Sequence, residues 1–144
     1  PESEHLSDSM RMIPYWFGPC MKEFVGREAD LPFDQHFLKA MVAPRRLFSC
    51  EGLEDLWSNP SGTWQTHAAA REAYRLLGVE NRIGIHFRPG GHDHGRADWQ
   101  AFLSFMDCQL CGNDVGIRFE TDPYPTMPRA FSWQAPQRKG PPQQ

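Results

Sequence analysis

Basic charge is in short supply in this 144-residue chain, which carries 15 Lys and Arg against 18 Asp and Glu, a formal net charge of −3. With no run of Lys or Arg, the sequence offers no field for a polyanion, so no nucleic acid and no anionic membrane surface is expected as a partner. Long apolar runs are missing too. None reaches the ~18 residues of a bilayer-spanning helix, and the opening Pro1-Glu2-Ser3-Glu4-His5 is not that of a signal peptide. An initiator Met is also absent, so Pro1 is read as a cut, processed or internal end of a longer frame. Cysteine is sparse: Cys20, Cys50, Cys108 and Cys111 do not frame a disulfide scaffold at this length. Cys108 and Cys111 have the CxxC spacing, but no second pair completes a zinc site, so they read as core or surface thiols. Neither a metal nor a cofactor is expected.

What is present suits one globular domain: 40% of residues are hydrophobic and 23% charged, at a length sufficient to bury a core. Ser3 to Met12 reads as a short helix with Ser3 as its cap. An aromatic loop, Ile13 to Pro19, follows, and Glu23 to Asp30 is polar and irregular. Asp34 caps a helix to Val42 with Phe37, Leu38 and Met41 on one face. Arg46 to Cys50 is short and apolar, as a buried parallel strand should be. A helix from Pro60 or Ser61 to Leu77 ends at Gly78, a second strand spans Arg82 to Phe87, and a helix covers Ala97 to Leu110. On that last helix Trp99, Phe102, Leu103 and Met106 form the stripe expected to face the core. The alternation helix, strand, helix, strand, helix predicts a parallel α/β sheet over residues 1–112. Residues 113–144 are rich in Pro and polar residues and read as an extended or partly disordered tail, with Phe131 and Trp133 available to pin it.

Both strands end in loops that carry chemistry. Asp55 follows the first and His92 the second, the latter in Arg88-Pro89-Gly90-Gly91-His92-Asp93-His94-Gly95. In a parallel sheet, loops at the carboxyl ends of neighbouring strands lie together, and ligands bind there. Histidine titrates near neutrality and can act as a general base, and an acid on its Nδ1 proton would hold the ring and stabilise the imidazolium. Two plainer readings fit the same residues. Gly-Gly before a polar cluster also makes an ordinary strand-to-helix loop, and His92, Asp93 and His94, with His86 as a further candidate, could chelate a metal, although four ligands cannot be assembled.

Several segments together resemble the C-terminal part of the bacterial glucuronoyl esterases. They are Tyr15-Trp16-Phe17, Leu31-Pro32-Phe33-Asp34-Gln35-His36, Ala43-Pro44-Arg45, Glu54-Asp55-Leu56-Trp57-Ser58-Asn59-Pro60-Ser61-Gly62 and Gly90-Gly91-His92. The likeness runs from about Ser3 to about Leu110 in one order. It implies a serine α/β-hydrolase cleaving esters between lignin alcohols and the glucuronic acid side groups of glucuronoxylan, and a parent protein exported to the periplasm or beyond. On this resemblance His92 is the catalytic histidine, Asp55 its acid unless a glutamate before Pro1 serves, and Trp57 lines the uronate pocket; Trp16, in the aromatic loop, reads either as a second sugar contact or as local packing. The family's Gly-Cys-Ser-Arg-x-Gly elbow has no counterpart here, nor does any Gly-x-Ser-x-Gly. The expectation is therefore the C-terminal part of a hydrolase sheet, holding acid and base but lacking the N-terminal strands and the nucleophile, and inactive alone. The alternative is a non-catalytic module that binds uronate or xylan, or serves another interaction.

Overall fold

The computed structural model describes residues 3–136. Six regular elements carry the fold: α1 (Leu6–Met12), α2 (Gln35–Ala40), β1 (Leu47–Gly52), α3 (Pro60–Leu76), β2 (Ile83–Arg88) and α4 (Arg96–Met106). Short 3₁₀ turns occupy much of the chain between α1 and α2, and α4 runs on into a single π turn, Asp107–Cys111. Among the described residues, no helix is long and apolar enough to cross a membrane.

Strands β1 and β2 pair in parallel, Leu47 opposite Ile83 through Gly52 opposite Arg88. Side chains on a strand alternate between faces, so each face of this small sheet takes a different helix. On one face Ile83 packs with Ala70 and Tyr74 of α3, with Leu47, Ala40, Ala43 and Val79 around them. On the other, Phe48 of β1 stacks on Phe105 of α4 at 4.8 Å, and Phe119 meets both rings edge-on. Gly84 makes that cluster possible, because a Cβ there would stand 2.9 Å from Phe105 and 3.0 Å from Phe119. A helix on each face of a parallel pair is the layering of an α/β fold.

Several boundaries differ from those expected. His5, not Ser3, precedes α1, while Asp34 caps α2 as expected by accepting the Gln35 N–H. Asn59, in a left-handed conformation, caps α3 by accepting the Gly62 N–H at 2.9 Å; Ser61 lies inside the helix and bonds Asn59. The face of α2 bearing Phe37, Leu38 and Met41 is exposed.

The stripe assigned to α4 needs correction. Trp99 and Leu103 are exposed, Phe102 and Met106 are half-buried, and the buried residues are Asp98, Ala101 and Phe105. Periodicity locates an apolar face but does not say which face the sheet covers. Here the sheet takes the face bearing Ala101 and Phe105, and Trp99 packs only edge-on against Phe102 and His94.

Residues 113–136 form no helix or strand, but they follow the body closely. The Phe119 carbonyl accepts the Ile85 N–H at 2.7 Å, so this segment covers the outer edge of β2. Further on, the Gln65 amide bonds both the Pro128 carbonyl and the Ala130 N–H, and buried Glu72 accepts the Ala135 N–H. Trp133 rests between Phe131 and His36.

Candidate active site

The loops that leave β1 and β2 lie against each other, and Gly52 is the reason. A Cβ on Gly52 would fall 2.5 Å from the carbonyl oxygens of both Gly90 and Gly91, so only glycine lets the second loop cross here. The contact is completed by backbone bonds from Leu53 N–H to the Arg88 carbonyl at 2.8 Å and from Glu54 N–H to the Gly90 carbonyl at 3.1 Å. Gly90 itself takes φ +102°, which side chains rarely adopt.

This crossing brings the two predicted residues together. His92 Nδ1 lies 2.8 Å from Asp55 Oδ2, a separation at which the ring N–H donates to the carboxylate. The two ends of the pair differ sharply in exposure, the imidazole being 86% exposed and the carboxylate 13%. Burial pushes the Asp55 carboxyl up, but bonds from the Ser58 hydroxyl, from His92 and from the Ser58 N–H outweigh it and hold the group below the usual carboxylate range. Asp55 is therefore ionised at neutral pH and selects the Nδ1–H form of the ring. The other nitrogen is left as the acceptor, facing solvent.

A cavity of about 460 Å³ opens over the pair, lined by Glu51, Asp55, Ser58 and His92 among others. Glu51 and Ser58 were missed from the sequence. Glu51 follows directly on the predicted strand, where nothing in the sequence marks it off from the other acids of the loop. Its burial raises its pKa, Lys39 draws it back down, and Asp55 raises it further. Ser58 Oγ lies 3.3 Å from His92 Nδ1. That places its hydroxyl on the acid's side of the ring, so it supports Asp55 and is not positioned to be a nucleophile, which would address Nε2.

A family model described as "Glucuronyl esterase, fungi" matches residues 2–78. The chain belongs to the glucuronoyl esterase family. A carbohydrate esterase from an unknown prokaryotic organism is 33% identical over 115 residues, covering 69% of this chain and 27% of that protein. The 4-O-methyl-glucuronoyl methylesterase of Schizophyllum commune is 32% identical over 109 residues, again 27% of its length. Among solved structures, a carbohydrate esterase family 15 glucuronoyl esterase from Caldicellulosiruptor kristjansonii superposes with a TM-score of 0.89 at 34% identity, over 94% of this chain and 35% of that one. The glucuronoyl esterase of Solibacter usitatus gives 0.66 at 30% identity. This chain thus spans about a quarter to a third of the length of these four relatives. The architecture is that of part of an α/β-hydrolase, consistent with a C-terminal position in a glucuronoyl esterase.

The two tryptophans expected to bind sugar stand apart from the cavity lining. Trp57 lies between Asp55 and Ser58 in sequence, half exposed on the 3₁₀ turn, its carbonyl accepting the Glu4 N–H. Trp16 is 71% exposed on a separate turn, Pro14–Trp16. His94, offered as a chelator, sets its ring edge-on against Trp99 instead. Among the described residues, no three His, Cys, Asp or Glu side chains converge as a metal site would require.

Proposed function

We propose that this chain provides the acid and base of a glucuronoyl esterase site, with His92 as general base and Asp55 as its orienting acid. The substrate class is the ester between lignin alcohols and the glucuronic acid groups of glucuronoxylan. The serine nucleophile and the remaining strands come from the part of the hydrolase domain that this chain does not span. The observation that carries the reading is the 2.8 Å Nδ1 to Asp55 contact beneath a ring whose other nitrogen is open.

The chemistry follows from that geometry. With Nδ1–H committed to Asp55, Nε2 takes the proton of a serine hydroxyl as its oxygen attacks the ester carbonyl. The ionised Asp55 stabilises the imidazolium so formed, which then returns the proton to the departing alcohol. Water enters by the same route to release the uronate. Trp57, two residues from Asp55 on an exposed turn, is the sugar contact of this reading, through its indole face and N–H.

The direct test is hydrolysis of a methyl or benzyl glucuronate by the purified chain. No triad-dependent turnover is expected, and measurable hydrolysis would contradict the division of the site. Binding of glucuronoxylan fragments separates the alternative: loss in Trp57→Ala with full retention in His92→Ala would favour a non-catalytic uronate module.

A further inference from the structure

His92 is held by very little of its own. Its ring is 86% exposed, Asp55 and Ser58 both meet it at one nitrogen, and it sits in a loop containing three glycines. A ring so poorly packed can meet a carboxylate at 2.8 Å only if the backbone beneath it is fixed.

Arg88, the last residue of β2, supplies that fixation. Its guanidinium donates to the carbonyls of Pro89 at 3.1 Å, Gly91 at 3.3 Å and Asp93. Its Nε donates to Asp98 Oδ2 at 2.7 Å, and the same carboxylate oxygen accepts the Gly95 N–H at 2.8 Å. Alternate residues of the histidine loop, 89, 91, 93 and 95, are thereby tied to one ion pair. Asp98 is 1% exposed, held in the first turn of α4, so the pair is anchored to the body and not to the loop. The planar guanidinium fork can satisfy the acid and several carbonyls at once, which a lysine ammonium on its single point cannot.

We propose that Arg88, seated on Asp98, is the positioning residue that holds His92 in register with Asp55. The proposal rests on the reading of Asp55 and His92 as the working pair. Arg88 touches no reacting atom, and its effect is transmitted through the loop backbone.

The test reads the ring itself. In the full chain labelled with ¹⁵N at histidine, the ring nitrogen shifts of His92 report which nitrogen carries the proton at neutral pH. The parent chain should show the Nδ1–H form, and Asp55→Ala should lose it. Arg88→Lys keeps the charge opposite Asp98 and the fold, but should lose most of the Nδ1–H signal in favour of the Nε2–H form. A second variant, Arg88→Met combined with Asp98→Leu, removes the pair without leaving a buried charge alone and should give the same loss. Thermal melting confirms that each variant is folded. If both Arg88 variants keep the parent signal while Asp55→Ala loses it, the positioning role is overturned and the pair stands. If the parent chain itself shows no Nδ1–H form, the pairing of Asp55 with His92 fails, and the role of Arg88 fails with it.

Discussion

The two strands are equal in length and pair residue for residue, yet their outer edges are finished differently. On the outer edge of β2 the Phe119 carbonyl takes a backbone N–H, the Phe119 ring closes the core, and Ile83, Gly84 and Ile85 are all buried. Along β1 the residues from Leu47 to Glu51 are only half-buried, and no strand among the described residues pairs with its other edge. Phe48, Cys50, His94, Trp99 and Phe102 line an open hollow on that side. Open apolar edges are a liability in a finished domain, and in this chain the open edge belongs to the strand that leads to Asp55. The same asymmetry holds at the site, where Nδ1 is engaged and the rest of the ring faces outward.

Substitutions on the finished edge should cost most. Phe119→Ala removes a ring packed against Phe48, Phe105 and Gly84, and should destabilise the chain by about 3–5 kcal/mol in denaturant unfolding. A cost below that range would mean residues 113–136 contribute less than the packing implies. Next comes Gly52→Ala, which forces a methyl group onto two backbone carbonyls. It should cost about 1–3 kcal/mol and separate Asp55 from His92. Wild-type stability together with the parent ring-nitrogen shifts would remove Gly52 from the account.

Acid should also find the buried side first. Burial, with Lys39 and Arg71 nearby, lowers the His67 pKa from 6.5 to about 3. The unfolded chain therefore takes up this proton before the folded one does, so the stability associated with neutral His67 is complete above 6.5 and drains away down to about 3. His67→Leu should flatten the upper part of that slope in melting experiments across pH; an unchanged slope would assign it to other groups. The smallest effect belongs to the open edge. Trp99→Ala should move the stability of this chain by no more than about 0.5 kcal/mol, and a much larger loss would show that this face is already packed.

Much of this arrangement was legible in the sequence. Arg46 to Cys50 and Arg82 to Phe87 announce strands by composition, and Asp55 and His92, each following one and flanked by residues that resemble the family's, could be expected to meet, as they do. Arg88 was not. At the end of an apolar run it reads as a solvated strand terminus, and its bonds to a loop and to Asp98 exist only once α4 has docked. Ser58 was hidden for the same reason, since its approach to His92 crosses between two strand ends. The α4 stripe misled because Trp99 and Leu103 have the apolar spacing of a core face while the sheet in this chain covers the other side.

The most direct measurement grafts residues 3–136 in place of the matching portion of the Caldicellulosiruptor kristjansonii esterase and follows benzyl glucuronate hydrolysis. The predicted result is turnover by the chimera, none by this chain alone, and loss of turnover in the chimera on His92→Ala. A folded chimera that is inactive, or one equally active with His92→Ala, would contradict the assignment of acid and base to Asp55 and His92.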